Sequence, residues 1–273
     1  MTSRFAQGAS IAGCLCALLT LTPSAHATER RFAFNYESGV LAPGQVEFEP
    51  WTTARLGREH HYAAFEQRLE FELGLVPNLQ TSLYWNFAAT SESVLDESTG
   101  SRVRTSSTRF QSLSSEWKYK LSDALADALG FALYFEGSYG PDEAELEGKL
   151  IFDKQVHNLL FAANLIGEQE WEFGPSETES EQQFSLTLGA GYFLSPSLIL
   201  GLEAISTTTL VEGGEVEFSA IYAGPSLAYA ADRYWLVLGA APQVFAPKSA
   251  NGDSLELEHG ERVWARALLG FHL

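Results

Sequence analysis

The chain has 273 residues, with 35 acidic against 17 basic side chains and a formal charge of −18. So negative a chain, with no basic stripe and no zinc-ligand spacing, argues against nucleic acid as a partner. Mean hydropathy is −0.06, and the one apolar run approaching membrane-helix length lies at the N-terminus, which excludes a polytopic helical membrane protein.

Residues 1–27 read as a removable export signal. Arg4 supplies the positive start, residues 11–21 the apolar stretch, and Ala25-His26-Ala27 the small-x-small spacing, so cleavage is expected after Ala27. Cys14 and Cys16, the two cysteines of the chain, leave with it. Residues 28–273 then form one barrel domain with no disulfide and no thiolate chemistry. Residues 28–44 carry Phe32, Phe34 and Tyr36 in alternation. They are expected either to pair irregularly or to fold into the lumen as a small plug.

From Val46 onward the period is two. Val46, Phe48, Thr52 and Ala54 share one face, followed by Ala63, Phe65, Gln67, Leu69, Phe71 and Leu73 with Ala64, Glu66, Arg68, Glu70 and Glu72 opposite. After Pro77-Asn78 come Leu79, Thr81, Leu83, Trp85 and Phe87, and then the stretches around Trp117, Phe131, Leu150 and Phe161. The second half adds those around Leu186, Leu200, Leu236 and Leu269, together with one whose outward face is read as Phe218, Ala220 and Tyr222. This predicts twelve strands, with fourteen as the alternative, because barrels of this kind have an even number. Short turns alternate with longer polar loops, among them 91–108, 174–183 and 247–261, as in an up-and-down antiparallel sheet.

Alternation alone does not say which face is wet. Strands of about nine to eleven residues suit a tilted bilayer crossing, whereas soluble strands average about five or six. About eight strands is already the size that side chains can fill. The uncharged face is therefore expected to meet lipid and the polar face a lumen. The fold class is all-β, a closed antiparallel transmembrane β-barrel.

On the inward face, Glu47, Glu49, Glu66, Glu70, Glu72, Glu116, Glu136 and Glu203 stand as anions against Arg68, Lys118, Lys120 and Arg266. An anionic excess in a narrow aqueous passage concentrates cations, so these are the candidate pore-lining residues. The opposing reading is that they pair across strands and fill the interior. Glu168, Glu170, Glu172, Glu177, Glu179 and Glu181 read as a solvated acidic loop, since no calcium-loop spacing with its turn glycine is present. The histidines fall in no serine-hydrolase elbow and no H-E-x-x-H pattern. No catalytic residue, metal ligand or cofactor is expected.

The last strand presents Phe271 and Leu273 on its greasy face, and hairpins run from Glu72-Leu73-Gly74-Leu75 to Leu79-Gln80 and from Gly189-Ala190-Gly191-Tyr192 to Leu200-Gly201. In these features the chain resembles bacterial outer-membrane β-barrel proteins of the porin-like and transporter-like kind, departing from them by ending in Leu instead of Phe. The resemblance implies residence in the outer membrane of a Gram-negative envelope, contact with its lipid, and insertion by barrel machinery that reads the C-terminal strand. The expected activity is passive or facilitated passage of small solutes with a preference for cations. The alternatives are a non-conducting barrel with partner-binding acidic loops, and a barrel hydrolase.

Overall fold

The computed structural model describes residues 29–96, 98–174, 177–211 and 213–273, so the export signal and its cleavage site lie outside the described residues. Twelve strands occur among them: β1 (Val46–Leu56), β2 (Tyr62–Val76), β3 (Leu79–Asp96), β4 (Ser101–Ser122), β5 (Gly130–Tyr139) and β6 (Glu143–Val156). They continue with β7 (Leu159–Phe173), β8 (Thr178–Ser195), β9 (Leu198–Val211), β10 (Glu215–Ala230), β11 (Tyr234–Lys248) and β12 (Val263–His272). Each pairs antiparallel with its sequence neighbours, and β1 pairs with β12 to close the barrel. Closure leaves no sheet edge, which is what a backbone in hydrocarbon requires.

The burial pattern is inside-out. Outward positions are apolar and open, with Leu83 56%, Phe135 51% and Leu165 49% exposed. Inward polar positions such as Asn164, Glu70 and Ser82 are buried. This is the arrangement of a transmembrane β-barrel.

The short-turn end is built from turn chemistry that the sequence carries openly. Proline sets φ at Pro77, and Asn78 accepts a φ of 70° in the manner of a type II turn. Between β4 and β5, Asp123 accepts the backbone N–H groups of Leu125 and Ala126 at 2.9 and 3.1 Å. These bonds hold the Asp123 carboxyl below its ordinary range.

Two readings of the chain are corrected by the structure. Residues 91–108, read as a loop, are mostly strand: β3 and β4 stay paired out to Asp96 opposite Ser101. Pairing to β2 stops at Glu92 and pairing to β5 begins at Leu113, so the hairpin tip stands clear of the barrel wall. Its Ser, Thr and charged residues hide the strand period because both of its faces are wet. Likewise β8 begins at Thr178, inside the segment read as loop.

The second correction concerns β10. Tyr222 and Ala220 are 1% and 0% exposed and face the interior, not the lipid, while Ile221 points outward. Tyr222 lies opposite the buried Ile205, and Ala228 opposite the buried Ile199; directly paired residues share a face. Both faces of β10 are apolar at this level, so alternation of polarity carries no signal there.

Candidate functional site

Residues 29–44 form no strand and run through the barrel interior as a strap. The strap leaves β1 where Gly44 N donates to Gly74 O at 2.8 Å and Gly74 N donates to Gln45 O at 3.0 Å. Leu41 N donates to Gln80 Oε1 at 2.9 Å. Asn164 on β7 accepts from Tyr36 N at 2.7 Å and donates to Tyr36 O at 3.0 Å, mimicking a strand partner. The Glu203 carboxylate on β9 then accepts the N–H groups of Ala33, Phe34 and Asn35 at 2.7, 2.7 and 3.0 Å. An irregular segment buried away from water must have its backbone groups satisfied, and inward side chains do this.

Packing completes the dock. Phe32, Ala33, Phe34, Asn35 and Tyr36 are all buried, so the alternation legible in the sequence is not expressed as two faces. Ala33 and Phe34 join a cluster with Ile199, Ile205, Tyr222, Trp235, Val237 and Leu268. Burying one such aromatic ring stabilises by about 1.5–3 kcal/mol. Glycine makes the close approach possible: a Cβ at Gly239 would lie 2.4 Å from the Ala33 Cβ, and one at Gly189 3.1 Å from the Phe32 ring.

Above the strap lies a polar vestibule with a cavity of about 310 Å³ reaching toward the loop-bearing ends of β7 and β8. A second cavity of about 130 Å³ continues beneath it and shares Arg55, Glu66, Arg68, Glu168 and Gln183; Phe34, Tyr36 and Trp51 form its floor. Seven carboxylates line the upper cavity, Glu66, Glu143, Glu145, Glu168, Glu170, Glu172 and Glu181, against the three guanidinium groups of Arg55, Arg68 and Arg109. The cations are engaged: Arg55 pairs with Glu66 at 3.0 Å, Arg68 with Glu136 at 3.2 Å and Arg109 with Glu143 at 3.5 Å. Across β6 and β7 the acids face each other directly, Glu143 opposite Glu172, Glu145 opposite Glu170 and Glu147 opposite Glu168. Like charges in register repel, and in a water-filled cleft with low-dielectric walls their field draws in cations.

The sequence-predicted residues divide into groups. Glu66 and Arg68 line the vestibule, Glu136 sits behind Arg68, and Arg266 lies at the floor, donating to Thr53 Oγ1 at 2.9 Å and Ala33 O at 3.3 Å. Glu203 is occupied by the strap. Glu47, Glu49, Glu70, Glu72, Glu116 and Lys118 are buried at 8% exposure or less and line neither cavity. Lys120 pairs with Asp123 at 3.2 Å beside the β4–β5 turn. Sequence reasoning missed Glu168, Glu170, Glu172 and Glu181 as wall residues by reading them as a solvated loop. The signal was there: Glu168, Glu170 and Glu172 repeat every second residue, as do Glu143, Glu145 and Glu147. Among the described residues, three carboxylate triads could hold a cation: Glu47–Glu49–Glu72, Glu70–Glu72–Glu116 and Glu145–Glu147–Glu168.

The profile of a family described as a family of unknown function, DUF6662, matches residues 24–273. The chain belongs to this family. No curated protein matches it. Among solved structures, the COG4313 outer membrane channel from Pseudomonas putida F1 is similar, with a TM-score of 0.60 at 13% identity over 86% of this chain and 98% of that one. The NanC porin is similar with a TM-score of 0.53 at 10% identity, over 83% of this chain and all (100%) of that one. At such identities the likeness is one of fold.

Proposed function

We propose that this member of DUF6662 is an outer-membrane channel for small solutes that prefers cations, taking them in through the vestibule. The carboxylate ladder between β6 and β7 carries the reading: of its three acid pairs in register, Glu143 and Glu147 are ion-paired to Arg109 and Lys149, and Glu145, Glu168, Glu170 and Glu172 have no such partner among the described residues, a surface that is satisfied by a mobile cation. The similarity to a channel and a porin agrees with it, as do the apolar outer belt and the resemblance of β12 to strands read by barrel insertion machinery. Passage beyond the floor requires the strap to shift, so conduction is gated by its docking.

A second reading is a sealed barrel that binds a partner through its rim. The observation that favours it is the strap itself, whose backbone is held by Glu203, Asn164 and Gln80. Single-channel recording in planar bilayers under a salt gradient separates the two. Cation-selective conductance, raised when residues 28–44 are deleted, supports the gated channel. Silence from both forms supports the sealed barrel, and anion selectivity overturns the charge argument.

A further inference from the structure

Below the strap the barrel holds charge that the vestibule does not use. On β1 and β2, Glu47 stands opposite Glu72 and Glu49 opposite Glu70, again like charges in register, but here Glu47 and Glu49 are 0% and 1% exposed. One oxygen from each of Glu47, Glu49 and Glu72 falls within 4.8 Å of the others. Glu47 has partners: its Oε1 accepts from Trp235 Nε1 at 2.7 Å, and its Oε2 lies 2.6 Å from His272 Nδ1. Glu49 differs, since both of its carboxylate oxygens are buried with no hydrogen-bond partner. The neighbouring guanidinium of Arg30 does not fill that role. It lies over the rings of Tyr36 and Trp51, 3.9 and 5.3 Å from their centroids, and its Nε and Nη2 are themselves unpartnered.

A buried carboxylate with both oxygens bare carries a desolvation cost that only a counter-ion or a proton offsets. We infer that Glu47, Glu49 and Glu72 hold a divalent cation of the calcium type inside the barrel. The donor set is all oxygen, which suits hard cations and not thiolate- or imidazole-seeking metals. Oxygens that lie within 4.8 Å of one another can share one hard cation, and calcium, which takes carboxylates in a flexible geometry, suits a site closed to solvent better than magnesium, which gives up its water reluctantly. Because the site is closed to solvent, the ion enters as the barrel forms and then ties β1 to β2 beside the β1–β12 seam. The inference is independent of whether the lumen conducts.

The test is to refold the full chain from urea into detergent micelles with either calcium chloride or EDTA, dialyse exhaustively, and measure calcium by elemental analysis. One calcium per chain is expected after refolding with calcium, with a higher urea midpoint than the EDTA-refolded barrel. E49Q, isosteric and uncharged, is expected to fold and lose the ion, while E168Q in the vestibule keeps it. Wild-type barrel that retains no calcium overturns the inference. So does a folded E49Q with an unchanged calcium content, or loss of calcium in E168Q, either of which puts the ion elsewhere.

Discussion

The Glu203 carboxylate accepts both the backbone N–H and the side-chain amide of Asn35, at 3.0 and 2.8 Å, across 168 residues of sequence. With the N–H groups of Ala33 and Phe34 on the same carboxylate, one side chain of β9 satisfies four donors of the strap. Hydrogen bonds to a charged group contribute about 1.5–3 kcal/mol each. Glu203→Ala is therefore expected to undock the strap while the barrel persists. Amide exchange at residues 33–35 should rise at least about tenfold, with heat-modifiable gel mobility unchanged; protection equal to wild type would refute the anchoring role.

Gly239 offers a steric route to the same state. A Cβ there meets the Ala33 Cβ at 2.4 Å, so Gly239→Val overpacks the dock by about 1–3 kcal/mol. It should reproduce the exchange pattern of Glu203→Ala without touching a charge. If the two variants open different residues, the strap is not one cooperative unit.

Glu37 gives strap docking a pH dependence. Burial pushes its carboxyl up to about 7, against the pull of Arg30 and Arg31, from an ordinary value of 4.5. An acid raised on folding stabilises the docked state fully below its undocked value, and that contribution is lost as pH rises through the docked one. Docking should weaken between pH 4.5 and about 7, read as increasing proteolysis at residues 29–44. Glu37→Gln should flatten the profile; a profile unchanged in the variant would assign the titration to another group.

In the vestibule, replacing Glu145, Glu168 and Glu170 together by Gln removes half of the β6–β7 ladder and leaves the ion pairs of Arg55 and Arg68 in place. The reversal potential in a salt gradient should move toward zero. A value equal to wild type would mean that ions do not pass this wall.

Leu188 faces outward at 48% exposure, opposite Ala163. Leu188→Arg is expected to destabilise the barrel in bilayers by about 2–4 kcal/mol, the midplane cost of a lipid-facing cation, measured by denaturant titration in vesicles. A loss under about 0.5 kcal/mol, the range of ordinary surface substitutions, would show that this position is not immersed.

The architecture was legible wherever the two faces of a strand meet different solvents. Along β2, Phe65 to Leu73 against Glu66 to Glu72 records lipid on one side and lumen on the other. That contrast fails in two physical situations. At residues 93–96 and 101–109 both faces are wet, so strand reads as loop. At Tyr222 both faces are apolar, because the interior of the late strands packs on Phe34 and its neighbours instead of on water. The candidate site suffered likewise: Glu66 and Arg68 were found because they sit on an unmistakable strand, and Glu168, Glu170, Glu172 and Glu181 were missed because a run of acids suggests a loop. The grip of Asn164 and Gln80 on the strap had no local signature, since it depends on residues 128 and 39 positions away.

The strap also has a mechanical consequence. It joins the wall at Gly74 on β2, Gln80 on β3, Asn164 on β7 and Glu203 on β9, positions spread around the circumference. A segment fastened to opposite sides of a hollow cylinder is a tie rod. Fastened there, the strap couples the early strands to the late ones across the lumen, so a displacement of either side is passed to the other until the rod lets go.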